Sequence, residues 1–241
     1  MISDLHALFY FLMVMPIVVL IGLLLRWHDK DLHRIRYLLF LSGLLFVVRI
    51  CLIPFEGSIG VMPYLKDDVI FYSLLALFGV LFTLLYVRWV ECTTLKEIGW
   101  ERRELKKNFL YGMGAYIPLL GFIPLIVILT GLELSFAITW EKLVLAVGFG
   151  LVLGGFYEET MFRGIIQMHL RTSTSPQKTI FFTAFIFTAT HIGYLPFTGY
   201  GVFYVFVFAM GLLLSLLRER VGLVASTILH GGIVFLFILG I

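Results

Sequence analysis

Two acids and an arginine stand in the middle of one of the most apolar stretches of this chain. The acids are Glu158 and Glu159 and the basic residue is Arg163, with apolar or small residues at 151–155 before them and at 164–166 after them. A charged side chain at the centre of a bilayer costs about 2.5–3.5 kcal/mol on insertion scales. Charged residues in such a place are therefore expected to be paired and to have a function.

The spacing of these residues predicts a different role for each acid. Glu159 and Arg163 are four residues apart with the acid first, which is the favourable order for an ion pair on a helix. Glu158 is rotated by about 100° from Glu159 and can face the interior of the bundle. A desolvated carboxylate there is basic enough to accept a proton near neutral pH, so we expect Glu158 to be a general base. The alternative is that the three charges only hold helices together.

Composition indicates which elements must position this cluster. Hydrophobic residues make up 61% of the 241 residues and charged residues 14%, against about 25% charged in soluble domains. This predicts an all-α polytopic membrane protein, and apolar runs of about 20 residues predict eight transmembrane helices. Their expected ranges are 6–26, 35–54, 69–89, 109–130, 143–170, 178–196, 201–218 and 221–241. Residues 1–241 are expected to form a single membrane domain with a polar site in the bundle core.

The distribution of basic residues predicts the orientation of these spans. Fourteen Lys and Arg residues lie in the loops after spans one, three, five and seven, and only Lys66 and Lys142 lie in the opposite loops. Because Lys and Arg concentrate in cytosolic loops, both termini are expected outside the cytosol.

Two histidines are expected near the acids. With 1.5 Å of rise per residue, Glu158 lies roughly 18 Å from the cytosolic end of span five. His191 in span six and His230 in span eight lie roughly 20 Å and 14 Å from theirs. Phe187, one turn before His191, is expected to wall its imidazole. Acids and histidines at one depth predict a hydrolytic site inside the membrane.

Two further local patterns bear on the packing and the boundary of the membrane domain. Gly150 and Gly154 form a small-xxx-small step that would allow another helix to approach closely. The segment 94–105 mixes apolar and charged residues, which predicts a short helix in the cytosolic interface with Trp100 at the level of the headgroups.

These motifs carry a resemblance to a known family. The pattern E-E-x-x-x-R at 158–163, F-x-x-x-H at 187–191 and His230 in the last span occur in that order. They resemble the CPBP family, the CAAX proteases and bacteriocin-processing enzymes also called Abi proteins, which includes the Ras-converting endopeptidase. The resemblance covers roughly 143–234, and 95–100 is also similar.

The resemblance implies an eight-span intramembrane glutamate-dependent endopeptidase that uses no cofactor and no metal. In that scheme the residue matching Glu158, with the one matching His191, activates a water for direct attack on the peptide carbonyl. The position of Glu159 pairs with that of Arg163, and the position of His230 helps to stabilise the oxyanion. The implied partners are membrane lipid and a peptide or protein substrate that could carry a prenyl group, and not nucleic acid.

One position departs from the family pattern. Members often have Asn or Asp four residues after the last histidine, as a second oxyanion donor or its support, and this chain has Val234. The only Asn is Asn108, which is expected at an interface. Ser226 or Thr227 could take the role of the missing donor. Loss of one oxyanion donor typically lowers turnover by a factor of about 10²–10³.

Three functions are therefore open. The first is an endopeptidase that acts near a membrane-embedded or lipid-anchored end of its substrate. The second is a non-catalytic scaffold, regulator or bacteriocin-immunity protein of the same fold, which Val234 favours. The third is a zinc hydrolase with Glu158, His191 and His230 as ligands, since two His and a carboxylate can bind zinc. The sequence contains no H-E-x-x-H motif and no G-x-S-x-G nucleophile motif.

Overall fold

The structure is a computed structural model that describes residues 76–77, 79–81, 83–101, 104–121, 124, 128, 138–191 and 201–240. Within these ranges the chain is helical or irregular and contains no β-strand, which confirms the all-α class for this part of the chain. Predicted spans one and two, and the first part of span three, lie outside the described residues. The count of eight spans and the orientation of the termini therefore remain predictions.

The helices that position the site follow one another along the chain. They are α1 (Tyr86–Val90), α2 (Leu105–Gly114), α3 (Tyr116–Leu120), α4 (Trp140–Arg171), α5 (Pro176–Ala189), α6 (Gly201–Arg220) and α7 (Leu223–Gly240). Among the described residues, α4 and α7 are long and apolar enough to cross a membrane. Their bounds agree within a few residues with predicted spans five and eight, and those of α6 agree with span seven.

Much of α4 is wider than an ordinary α-helix. Ala146–Glu158 and Thr160–Ile166 are π-helical, and the N–H of Gln167 bonds to the carbonyl of Phe162, five residues earlier. Turns of this kind are rare and frequently occur at functional sites. The two acids of α4 lie where its two π-helical stretches meet.

Glycines bring α4 and α7 into close antiparallel contact. A β-carbon built on Gly150 would lie 2.7 Å from the backbone nitrogen of Phe235, and one on Gly155 would lie 3.3 Å from the Cα of Gly231. As residue numbers rise along α4, those opposite fall along α7, so the helices run in opposite directions. The close approach expected at Gly150 is confirmed. It brings the acids of α4 towards the histidine of α7.

A row of polar contacts holds α4 parallel to α6. The contacts join Arg163 to the carbonyl of Gly211 at 3.3 Å, Gln167 to the carbonyl of Ser215 at 2.9 Å, and Arg171 to the carboxylate of Glu219 at 2.8 Å. Each pair is 48 residues apart. The two helices therefore run in the same direction and in register, one turn per contact. This agrees with the alternation of spans five and seven that the basic loops predict.

Helix α5 ends just before His191, whereas the sequence predicts a span that continues to 196. In an α-helix the N–H of His191 would bond to the carbonyl of Phe187. That oxygen instead accepts from the Thr190 hydroxyl at 2.7 Å and lies 2.8 Å from Nδ1 of His191. The His191 N–H bonds to Thr188 at 2.9 Å. The side chains of Thr190 and His191 thus compete with the backbone for the carbonyl of Phe187 and end the helix. His191 is therefore the first residue beyond the C-cap.

Candidate active site

Glu159 lies at the centre of a buried ionic cluster. Its Oε1 accepts from Nη1 of Arg163 at 2.8 Å and lies 2.8 Å from Nδ1 of His230. The side chains of Glu159 and Arg163 are both fully buried. The ion pair predicted from the i and i+4 spacing is therefore present, and it extends across the helix interface to α7.

His230 lies between the two acids. Because a carboxylate oxygen can only accept, the contact with Glu159 places a proton on Nδ1 of His230. The other ring nitrogen, Nε2, lies 3.8 Å from Oε2 of Glu158. This separation is too long for a direct hydrogen bond and suits an electrostatic contact or a shared water. Glu159 thus fixes the ring orientation that directs Nε2 towards Glu158.

The ring of Phe187 contacts Arg163 of α4, His191 at the end of α5 and His230 of α7. The guanidinium of Arg163 stacks over it with Cζ 4.3 Å from the ring centre, a distance typical of a cation–π contact. The His191 ring centre lies 4.5 Å from that of Phe187, and the His230 ring meets it edge-on at 5.5 Å. Phe187 has no exposed surface. It therefore walls both imidazoles, and not only that of His191 as the spacing predicts.

The tautomer of His191 is determined by the backbone of its own helix. Its Nδ1 lies 2.8 Å from the carbonyl oxygen of Phe187, and a carbonyl can only accept, so Nδ1 carries the proton. In the neutral imidazole the lone pair then resides on Nε2. The end of α5 thus turns the basic nitrogen of His191 away from the helix backbone.

A small space beside His230 is left by the absence of a side chain on Gly154. A β-carbon built on Gly154 would lie 3.7 Å from Nε2 of His230 and 3.5 Å from Cγ2 of Val234. The position that departs from the family pattern therefore faces α4 close to the histidine. Val234 packs there against an apolar cluster that includes Leu145 and Ile238.

The two hydroxyls considered as replacement donors differ in their bonding. Ser226 is fully buried, and its hydroxyl donates to the carbonyl of Leu223 at 2.8 Å. The hydroxyl of Thr227 is also buried and makes no hydrogen bond within the described part of the chain. Its methyl group lies beside Gly155 on α4. Of the two, Thr227 has a hydroxyl proton that is not already used.

Three positioning contacts are not apparent from the sequence. Asn108 on α2 is buried, and its side-chain oxygen accepts the N–H of Ala225, which caps the first turn of α7. Tyr116 donates its hydroxyl to the carbonyl of Ile228 at 2.8 Å on the same helix. The indole of Trp100 donates to the hydroxyl of Thr160 at 2.9 Å. From the sequence, only the Asn108 contact could have been suspected, because the start of α7 has no capping side chain of its own.

The remaining predicted residues come together as follows. Glu158, Glu159 and Arg163 from α4 meet His230 from α7, and His191 reaches the same ring of Phe187. All are buried. Within the described residues no group of three His, Cys, Asp or Glu side chains is arranged to hold a metal ion. Among the described residues, the acids and histidines therefore do not form a set of three ligands around one point.

A protein-family model matches the part of the chain that carries these residues. The model of the Rce1-like family, type II CAAX prenyl endopeptidases, matches residues 139–236. This range contains both acids, Arg163, His191 and His230, and it confirms the resemblance that the motifs carry. The matched family is one of integral membrane proteases. No curated protein and no solved structure matched the chain.

Proposed function

We propose that this protein is an intramembrane endopeptidase in which Glu158 activates a water molecule. The observation that carries the proposal is the position of His230, held by Glu159 through Nδ1 and directed through Nε2 towards Glu158. A carboxylate and an imidazole nitrogen that face each other at 3.8 Å can both bond to one water. Such an arrangement suits attack on a peptide carbonyl without a protein nucleophile.

The proposed reaction begins with proton transfer to Glu158. The carboxylate takes a proton from the water while the water oxygen bonds to the carbonyl carbon of the substrate. The carbonyl oxygen becomes an oxyanion, and collapse of this intermediate breaks the C–N bond. The proton held by Glu158 then passes to the departing amine. His191, whose Nδ1 is held by the carbonyl of Phe187, presents Nε2 as a second acceptor for the water.

The charge of the cluster supports His230 as the oxyanion donor. Glu158 and Glu159 carry two negative charges against the single positive charge of Arg163. With both ring nitrogens of His230 protonated, these four groups are neutral as a set. His230 then donates from Nε2 at the place where negative charge develops. The proton on Nδ1 stays with Glu159.

Of the hydroxyls of Ser226 and Thr227, that of Thr227 is the better replacement for the oxyanion donor that the side chain of Val234 cannot provide. Ser226 already donates to Leu223, so its proton is engaged. Thr227 is three residues before His230 on the same helix, and its hydroxyl proton is available within the described residues. A second donor of this kind would compensate for the apolar side chain of Val234 on the same helix.

The proposed substrate is a peptide or protein with a membrane-embedded or lipid-anchored end. The family that matches 139–236 acts on prenylated CAAX sequences, and the basic loops would favour anionic headgroups around the site. We propose a CAAX-like prenylated tail as the substrate class, cleaved within the multi-pass membrane domain.

A non-catalytic role in the same fold is the second candidate, and Val234 favours it. Its side chain contributes only apolar contact beside His230, where the family pattern has an amide or acid. A scaffold would still use the Glu159–Arg163 pair to hold helices together. It would have no need for Glu158.

The test is termini-selective proteomics on membranes that contain the wild type or Glu158→Gln. The substitution keeps the size of the side chain and removes the base. The matched control is Glu104→Gln, because Glu104 is an exposed glutamate outside the site. Protein ends that disappear only with Glu158→Gln would identify a protease and its substrates.

Identical profiles for the wild type and Glu158→Gln would reject the peptidase and leave the scaffold. A chelator distinguishes the zinc alternative, since a water activated by Glu158 reacts without metal. Loss of the new protein ends on chelation, with recovery on addition of Zn²⁺, would favour the zinc hydrolase instead.

A further inference from the structure

The connection 91–100 runs along α4 towards the acids. Glu91 lies 2.9 Å from Nε2 of His169 near the end of α4. Further along, Ile98 is fully buried and lies against Gly164. Trp100 then reaches Thr160, which is eleven residues before the end of α4 at Arg171. The order of these contacts shows that the segment runs alongside α4 from His169 towards Thr160 and does not remain at the end of the helix.

The segment has a defined shape. The N–H of Thr94 donates to the carboxylate of Glu97 at 2.8 Å, and the N–H of Glu97 donates to the hydroxyl of Thr94 at 3.3 Å. This is a capping box, and the Thr93 hydroxyl adds a third contact to Glu97 at 2.6 Å. Gly99 then takes φ +115°, a value that favours glycine, and reverses the chain so that Trp100 points inward.

Arg218 ties the segment to two helices at once. From the end of α6 its Nη2 donates to the carbonyl of Ile98 at 3.1 Å, and its Nε donates to the carbonyl of Arg163 at 3.2 Å. Non-helical backbone at membrane depth needs its polar groups satisfied by protein or by a water-filled cavity. Arg218 meets this need for one carbonyl of the segment and links it to the residue that pairs with Glu159.

The contact closest to the acids is a short relay of hydrogen bonds. The indole N–H of Trp100 donates to the hydroxyl of Thr160, which donates in turn to the carbonyl of Phe156 at 2.6 Å. The rings of Trp100 and Phe156 are also in contact, with centres 5.1 Å apart. Phe156 and Thr160 bracket Glu158 and Glu159 in the sequence. The relay therefore spans the turn of α4 that carries both acids.

We propose that residues 91–100 form a positioning strap for the glutamates, in which Trp100 acts through Thr160 on the turn that carries Glu158. The proposal rests on the peptidase function. It replaces the expectation of a short interfacial helix with Trp100 at the headgroups, because the indole N–H is bonded to a side chain with no exposed surface. Trp100 touches no reacting atom, so its role is to hold the orientation of Glu158.

A double-mutant cycle tests the strap. Trp100→Phe removes the N–H and keeps a ring, while Thr160→Val removes the hydroxyl and keeps the shape. Trp100→Phe leaves the Thr160 hydroxyl with its bond to Phe156 alone, and Thr160→Val leaves the indole N–H of Trp100 without its acceptor. The double variant removes both groups. We expect each single variant to lower kcat about tenfold with KM unchanged, and the double variant to be no worse than the worse single one. Thr160→Ser keeps the hydroxyl and is expected to retain activity.

Two measurements are made on each purified full-length variant in lipid vesicles. The first is cleavage of a farnesylated CAAX reporter peptide over a range of concentrations, which separates kcat from KM. The second is amide hydrogen exchange over 154–162, which needs no substrate. Trp140→Phe is the matched control, because Trp140 is 72% exposed at the start of α4. It should change neither measurement.

Lower kcat together with faster exchange over 154–162 in both single variants would support the strap. If neither the exchange rate nor kcat changes, the proposal is overturned, and residues 91–100 serve only to anchor the chain. A raised KM with normal kcat would also overturn it, since the segment would then contact substrate. If exchange responds but the wild type cleaves neither the reporter nor any membrane protein, the peptidase has failed. The segment then supports the helix without positioning a catalytic group.

Discussion

The space beside His230 makes a glycine substitution a direct test of where the reaction occurs. In Gly154→Ala the added methyl group would lie 3.7 Å from Nε2 of His230 and 3.5 Å from Cγ2 of Val234. Both distances are ordinary van der Waals contacts, so the methyl group fits without moving backbone. It also occupies space next to the nitrogen that is proposed to stabilise the oxyanion.

The expected effects on stability and activity are opposite in sign. Ala is favoured over Gly within a helix by about 0.5–1 kcal/mol, so the stability of Gly154→Ala should be unchanged or slightly raised. Activity should fall, because a methyl group beside Nε2 crowds the substrate carbonyl. If the contribution of His230 is lost entirely, the fall is about 10²–10³ in kcat, equivalent to about 3–4 kcal/mol.

Two other glycines give matched controls for the same chemical change. A β-carbon on Gly114 would meet nothing within 4 Å, so Gly114→Ala should leave activity and stability close to wild type. A β-carbon on Gly150 would lie 2.8 Å from the backbone Cα of Phe235, so Gly150→Ala should force α4 and α7 apart and destabilise the protein. The variants are compared by thermal unfolding in detergent and by cleavage of the farnesylated CAAX reporter.

Full activity in Gly154→Ala, with the fold intact, would refute the reasoning. It would mean that the reacting carbonyl does not approach His230 from the side of Gly154. A loss of activity in Gly154→Ala that is accompanied by a lower midpoint of thermal unfolding would also count against it. The effect would then come from disturbed packing of α4 against α7.

The other predictions concern stability. Glu159→Gln leaves the buried charge of Arg163 without its counter-charge and should destabilise the protein by about 3–5 kcal/mol, seen as a lower midpoint of thermal unfolding. Gly232→Ala should lower the midpoint too, because its methyl group would collide with the hydroxyl of Tyr116 and break the bond to Ile228. Hydrogen bonds from Thr93 and Thr94 hold the pKa of Glu97 below its ordinary value of 4.5. The stabilisation by Glu97 should therefore be complete above that value and disappear as the pH falls through the lowered pKa, so that wild type and Glu97→Gln unfold alike in acid and differ at neutral pH.

Each of these stability predictions has a matched comparison. Arg171→Gln breaks an ion pair whose arginine is 47% exposed, so its effect should stay below about 1 kcal/mol. An effect as large as that of Glu159→Gln would contradict the burial argument. For Gly232 the companion variant is Tyr116→Phe, which removes only the hydroxyl; if Gly232→Ala is no worse, the collision is not the cause. A difference between wild type and Glu97→Gln that persists in acid would contradict the pH argument.

Several parts of the site follow from local sequence patterns. The Glu159–Arg163 pair depends on a spacing of four residues within one helix, and apolar runs of about 20 residues place the ends of α4 and α7 within a few residues. The order of the acids, His191 and His230 indicates the peptidase family. The ion pair and the helix ends depend on neighbours along the chain, and the family motif depends on residue order, so the sequence contains the information needed to find them.

Contacts between distant segments decided the rest. The sequence predicts His191 inside a helix, and the structure has it just beyond the end, where Thr190 and His191 compete for the carbonyl of Phe187. It also predicts a short interfacial helix over 94–105, and the structure has turns at 95–99 and bonds Trp100 to Thr160. Neither outcome could be predicted from periodicity, because each depends on which polar group lies within 3 Å once the helices have packed. Apolar patterns determine which segments form helices, and hydrogen-bond satisfaction in the packed interior determines how their side chains meet.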